Sequence, residues 1–157
     1  MNKIIDGVGK DAEIVVNEKG GKQSKSPMAM HLIDPCFLQL WTNLDLTDVF
    51  MPIGEFMETG EINYLLHAID CIEPEEAKVL MRIAKVLKEG ADKYTPNNWR
   101  LIPQEEHINH ALIHLLAHEM GDTQDNHLDH ALCRLMMAYA TKKSENFDYC
   151  YYKPSVK

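Results

Sequence analysis

The chain reads as mainly α, a compact helical bundle with a short β element near its N-terminus. Three segments carry apolar residues at helical spacing, within 74–91, 105–120 and 124–143, and only 11–17 has the pattern of a strand. With 157 residues, one compact domain around one core is expected. Its parts divide as an N-terminal strand and basic loop at 1–35, an intervening segment at 36–73, the helical core at 74–143 and a tail at 144–157.

Asp11 to Asn17 (DAEIVVN) centres a strand on Ile14, Val15 and Val16. EKGGKQSKSP follows, and its two Gly, three Lys, two Ser and one Pro are loop chemistry with positive charge. Cys36 to Trp41 is apolar and opens a short helix after Pro35. From Thr42 onward Pro52, Gly54 and Gly60 break the pattern, and a helix is read again in EINYLLHAIDCI before Glu73. Pro74-Glu75-Glu76 starts the next helix, because Pro suits the first turn and acidic residues there complement the dipole. Ala77, Leu80, Ala84, Leu87 and Ala91 give it one apolar face. A helix from Glu105 to Met120 stops at Gly121, and another runs from Gln124 to Lys143.

The net charge of −8 argues against gripping a duplex nucleic-acid backbone, which calls for a basic surface. A small nucleotide remains compatible, since a few lysines or metal ions neutralise its phosphates locally. No apolar run approaches the roughly 18 residues of a membrane span, and the first residues lack a secretory h-region. Cys36, Cys71, Cys133 and Cys150 form no C-x-x-C pair and read as reduced thiols. A cytoplasmic protein is therefore expected. Helical cores of this size assemble in pairs to cover apolar faces, so a homo-oligomer is expected.

Three constellations carry chemistry. His107, His110, His114 and His118 fall within about 80° of one another on one helix. Imidazole ligates metals and titrates near neutrality, although two or three of the four fit an ordinary polar face as well. Asp122 and Asp125 are three apart, so a helical turn there converges two carboxylates, an arrangement that favours a cation between them. The alternative is an N-cap aspartate with a solvated neighbour. On the last helix His127, His130 and Arg134 share a face that needs partners. The short connection at Gly121 makes the two helices antiparallel neighbours, so the aspartates and the histidine stripe are the natural candidates. Gly20, Gly21, Lys22 and Lys25 add a basic loop able to hold phosphate, without P-loop spacing.

These pieces follow one another as VVNEKGGKQSK, LIDP at 32–35, EGADKY at 89–94, NNWR at 97–100, HALIHLLAH, GDTQD and HLDHALCR. In that order they resemble the dATP/dGTP diphosphohydrolase family of phages, itself similar to the all-α nucleotide pyrophosphohydrolases. The chain departs from that pattern in several places. Ile113 stands where the family has Arg before His114, and Asp122 replaces a Glu. The segment between Asp125 and His127 is short, and there is extra sequence from about Phe37 to Glu73.

The resemblance implies hydrolysis of a purine (deoxy)nucleoside triphosphate to monophosphate and pyrophosphate. It implies Mg²⁺ or Mn²⁺ held by Asp122 and Asp125, with His114 or His130 as a further ligand or the general base. Lys22, Lys25 and Lys93 would neutralise phosphates, Trp99 or Tyr94 would stack on the base, and Asn98 would read its edge. The alternative is a phage protein on the same scaffold that sequesters a nucleotide without hydrolysing it.

Overall fold

A β-hairpin opens the described structure. β1 (Ile14–Val16) pairs antiparallel with β2 (Lys22–Ser24), Val15 facing Gln23 across the ladder. The Asn17 carboxamide organises the turn between them, its Oδ1 accepting from the N–H groups of Lys19 and Gly21 at 3.0 and 2.8 Å. Gly21 is required by a close approach: a Cβ there would meet the Leu101 carbonyl oxygen at 2.7 Å. The basic loop expected at 18–27 is therefore partly strand. Its register was invisible in the sequence because β2 (Lys-Gln-Ser) lacks the apolar alternation of a strand.

The computed structural model describes residue 5 and residues 12–34, 44–72 and 76–146, with backbone alone at 76, 77, 79 and 142–146. Beyond the hairpin lie a 3₁₀ turn at Met30–Leu32, α1 (Thr47–Thr59), α2 (Asn63–Ile72), α3 (Glu76–Lys93), a second 3₁₀ turn at Asn98–Leu101, α4 (Gln104–Glu119) and α5 (His127–Asn146). The fold is mainly α, as the periodicity predicts. The helix expected at Cys36–Trp41, the start at Pro74-Glu75 and the tail from 147 fall outside the described residues.

α5 is the hub and packs against α2, α3 and α4. α4 is buried almost all round, from His107 to Leu115 and again at Ala117, which is why it carries apolar and imidazole side chains on every face. On its far side Asn109, itself buried, clasps the N-terminal strap. It accepts from Met30 N–H at 2.6 Å and donates to Met28 O at 3.1 Å. The two central helices run antiparallel, since His114 meets His127, His107 meets Arg134, and Gln104 reaches the carbonyl of Ala138.

Three expectations are corrected. Pro52 and Gly54 do not break the chain; both lie buried inside α1, whose Val49, Phe50, Ile53 and Phe56 enter the core. Core burial of several large side chains outweighs the roughly 3 kcal/mol that an interior proline costs. Gly60, at φ +71, does end the helix.

On α3 the packed residues are Ile83 and Val86, while Leu80, Ala84 and Leu87 of the expected face are exposed and Ala91 is half-buried. Both rows have helical spacing, so periodicity alone could not choose between them. The Arg82–Asp129 ion pair fixes which side meets α5. Finally, α5 starts at His127, so the turn holding Asp122 and Asp125 is not helical.

Candidate functional site

The turn between α4 and α5 is built by a glycine. Gly121, at φ +79, donates to His118 O at 2.9 Å, and Asp122 N–H closes back on Ala117 O at 3.0 Å. These are the paired bonds of a Schellman cap. They deliver the buried Asp122 side chain beneath the end of α4. Its Oδ1 accepts from Gln124 N–H at 2.9 Å and lies 3.2 Å from His127 Nε2, out of line for a hydrogen bond. Asn126 then takes the cap position of α5, its carbonyl accepting from His130 N–H at 3.1 Å.

The two carboxylates approach different imidazoles, Asp122 that of His127 and Asp125 that of His130. Asp125 Oδ1 stands 3.2 Å from His130 Nε2, and Glu89 Oε2 of α3 approaches the same nitrogen to 3.8 Å. Burial alone would raise the Asp125 carboxyl, but its bonds to His130 and to the Asn126 N–H overcome it. They hold the group below the usual carboxylate range, so it is ionised. His114 stacks on His130 with ring centres 4.9 Å apart, and its Nδ1 is 3.0 Å from His127 Nδ1. Burial, then the neighbouring His130, His127 and Arg134, drive the His114 pKa well below its ordinary value, so this ring is neutral.

A second group lies around the hairpin. Ser24 Oγ is 3.0 Å from the Tyr94 hydroxyl and accepts from Lys93 Nζ at 3.2 Å. Lys25 pairs with exposed Glu13 at 3.0 Å, while Lys22 is an exposed residue of β2. The buried Asn98 carboxamide accepts from Lys22 N–H at 3.0 Å and donates to Lys22 O at 2.6 Å, so in this structure it sets the position of that strand. Arg100 covers the Trp99 ring at 4.3 Å, and Lys93 sits 5.2 Å from the Tyr94 ring centre.

One open cleft of about 1550 Å³ joins the two groups. Lys22, Lys25, Lys93, Tyr94, Asn98, Trp99, His114, Asp122, Asp125 and His130 all line it. The residues to which the resemblance assigns roles thus line one cavity, whereas His107 of the histidine stripe and Gly20 and Gly21 of the basic loop do not. Arg134, Glu89, Ser24 and His127 line it too. Arg134 and His127 carried a signal in the sequence, the shared face of the last helix; Glu89 and Ser24 carried none beyond lying in the EGADKY and GGKQSK strings.

Among the described residues no three His, Cys, Asp or Glu side chains form a ready metal cage. Mg²⁺ does not require one, because it keeps several waters and binds through one or two carboxylates together with substrate phosphates. An ionised Asp125, the adjacent Asp122 and neutral imidazole beside them are a donor set of the right chemistry. No helix among the described residues is long and apolar enough to cross a membrane.

Residues 66–149, more than half of the chain, match a family model described as dATP/dGTP diphosphohydrolase, N-terminal. No curated protein and no solved structure matches the chain.

Proposed function

From the premise that the chain belongs to the dATP/dGTP diphosphohydrolase family, we propose that it hydrolyses purine (deoxy)nucleoside triphosphates to monophosphate and pyrophosphate in a metal-dependent reaction. The observation that carries this reading is the single cleft. It has lysines and aromatic rings around the hairpin and carboxylates with imidazoles at the α4–α5 turn. A triphosphate needs both kinds of surface at once, cations for its terminal phosphates and an acidic, base-bearing centre for the α-phosphate.

In this proposal Lys22, Lys25 and Lys93 neutralise the outer phosphates, and Tyr94 or Trp99 takes the base. Asn98 holds the strand that carries Lys22 and stands beside the bound base. Asp122 and Asp125 hold Mg²⁺ or Mn²⁺, with His114 or His130 beside them. The metal supplies charge neutralisation at the α-phosphate. His130 is the better placed base: Asp125 fixes its Nε2–H and leaves Nδ1 to accept a proton from water. His114, neutral and strongly depressed, is a weak base and serves better as a ligand.

The test is a pyrophosphate-release assay with dATP and dGTP, with Mg²⁺ or Mn²⁺ and with chelator. Metal-dependent release of pyrophosphate and monophosphate supports the enzyme. Tight nucleotide binding without release under any metal replaces it with a sequestering protein on the same scaffold.

A further inference from the structure

Arg134 stands in α5 with its side chain half-buried at the cleft wall, in a protein whose net charge is −8. Its one hydrogen bond among the described residues runs from Nη1 to His107 Nδ1 at 3.1 Å. Arginine only donates, so His107 Nδ1 must accept, and the ring's other nitrogen donates to the Trp99 carbonyl at 3.0 Å. His107 is fully buried, which fixes this orientation.

Among the described residues, the other groups facing Arg134 offer no counter-charge at contact distance. His110 and His114 on α4 are held neutral. Cys133 on its own helix is a buried thiol with a raised pKa. Tyr94, just past the end of α3, is engaged with Ser24, and Glu106 accepts from Gln23 at 3.3 Å. The other interior arginine-type contact is different in kind: Arg82 is paired directly with Asp129.

A half-buried guanidinium with no carboxylate paired to it among the described residues carries an uncompensated desolvation cost. It is also a preorganised fork for a tetrahedral oxyanion, with one N–H committed to His107 and the rest available. We infer that Arg134 is an anion-binding residue of the cleft and takes a phosphate of the bound ligand, held in place by His107. This deepens the nucleotide reading above by naming the group that anchors the polyphosphate. Because His107 also holds the Trp99 carbonyl, the anchor and the aromatic turn are fixed to one another.

The experiment measures binding of inorganic triphosphate, dGTP and dGMP to the full chain by calorimetry, with and without Mg²⁺. Wild-type protein is compared with Arg134→Gln, which keeps an N–H donor, and Arg134→Lys, which keeps the charge. Circular dichroism reports folding. The expected result is a loss of about tenfold or more in triphosphate affinity for Arg134→Gln. Arg134→Lys should lie in between, and the preference for dGTP over dGMP should shrink by a similar factor. Wild-type affinity in Arg134→Gln overturns the assignment. Should Arg134→Gln not fold, Arg134→Lys decides: unchanged triphosphate affinity there overturns it, because the fork would then contribute nothing. If wild-type protein binds inorganic triphosphate through Arg134 but binds no nucleotide, the anion site stands and the nucleotide reading falls. If dGTP binds equally to wild type and Arg134→Gln, the reverse holds.

Discussion

Asp125 has two candidate jobs, and one substitution separates them. Its carboxylate engages His130 and also accepts from the N–H of Asn126 at 2.8 Å, which is what a residue next to a helix start does. Asp125→Asn keeps the shape and both bonding directions while removing the charge. We predict that it folds normally and loses pyrophosphate release by at least about a hundredfold per folded molecule. Loss of thermal stability at undiminished turnover would make it a cap instead. The lysines belong to the opposite group. Lys25 pairs only with exposed Glu13, and pairs of that kind contribute little to stability. The Lys22→Ala/Lys25→Ala double variant should therefore melt as wild type does. Its triphosphate binding, measured by calorimetry, should weaken by about 1.5–3 kcal/mol per charged hydrogen bond lost. Much of this site was legible in the sequence, because spacing along a helix survives folding: His107 to His114 and His127 to Arg134 do face one another. What could not be read was engagement. That Asn98 is occupied by Lys22's backbone, and that Arg134 is bonded to His107 and to no carboxylate among the described residues, depend on chain segments brought together from far apart.

α3 shows how an amphipathic helix can mislead. Its sequence offers two apolar rows, and the one with more leucine and alanine is the one left outside: Leu80 and Met81 are 65% and 63% exposed, against 4% for Ile83. Ile83→Ala should cost about 2–4 kcal/mol in urea unfolding, as for other buried large-to-small changes. Leu80→Gln with Met81→Gln should change the stability of an isolated chain by no more than about 0.5 kcal/mol. The same pair is where the expected homo-oligomer would be felt. If copies associate through the outer row of α3, light scattering should show the double variant shifting toward the 18.0 kDa monomer. An unchanged mass would place any association elsewhere. α1 was illegible for a different reason. Pro52 and Gly54 are local penalties, and the burial that outweighs them involves α2, whose partnership with α1 no short window of sequence displays. The central pair α4 and α5 was legible because its glycine stop at Gly121 and its long periodic runs are local signals that tertiary structure did not override.

Burying a histidine stripe makes the molecule's stability depend on pH in a definite direction. His107 is pushed down to about 3 by burial and then by the charge of Arg134, and His110 to about 2 by burial, Arg134 and His107. In the unfolded chain both rings titrate near 6.5. Below that pH the unfolded state binds protons that the folded state refuses, so folding weakens as the solution is acidified. The contribution is fully present above pH 6.5. It is lost progressively as pH falls toward about 3, where the folded rings themselves begin to protonate. His114, also held well below its ordinary value, is a third such group, and three give a slope of about 4.1 kcal/mol per pH unit once the pH is well under 6.5. Asp125, whose carboxyl is held low, acts in the same direction but only at and below the ordinary carboxylate range. Against a total stability of about 5–15 kcal/mol for a domain, the histidine slope alone removes a large part of the stability in mild acid. The measurement is a set of urea-unfolding curves at pH 7, 6, 5 and 4.5. His110→Gln keeps a polar group facing Ser26, whose hydroxyl lies 2.9 Å from the ring, but cannot take up the proton. It should lower the acid slope by about a third while leaving stability at pH 7 little changed. An undiminished slope in that variant would mean that His110 exchanges protons freely in the folded state and that the histidine stripe is not the source of acid sensitivity.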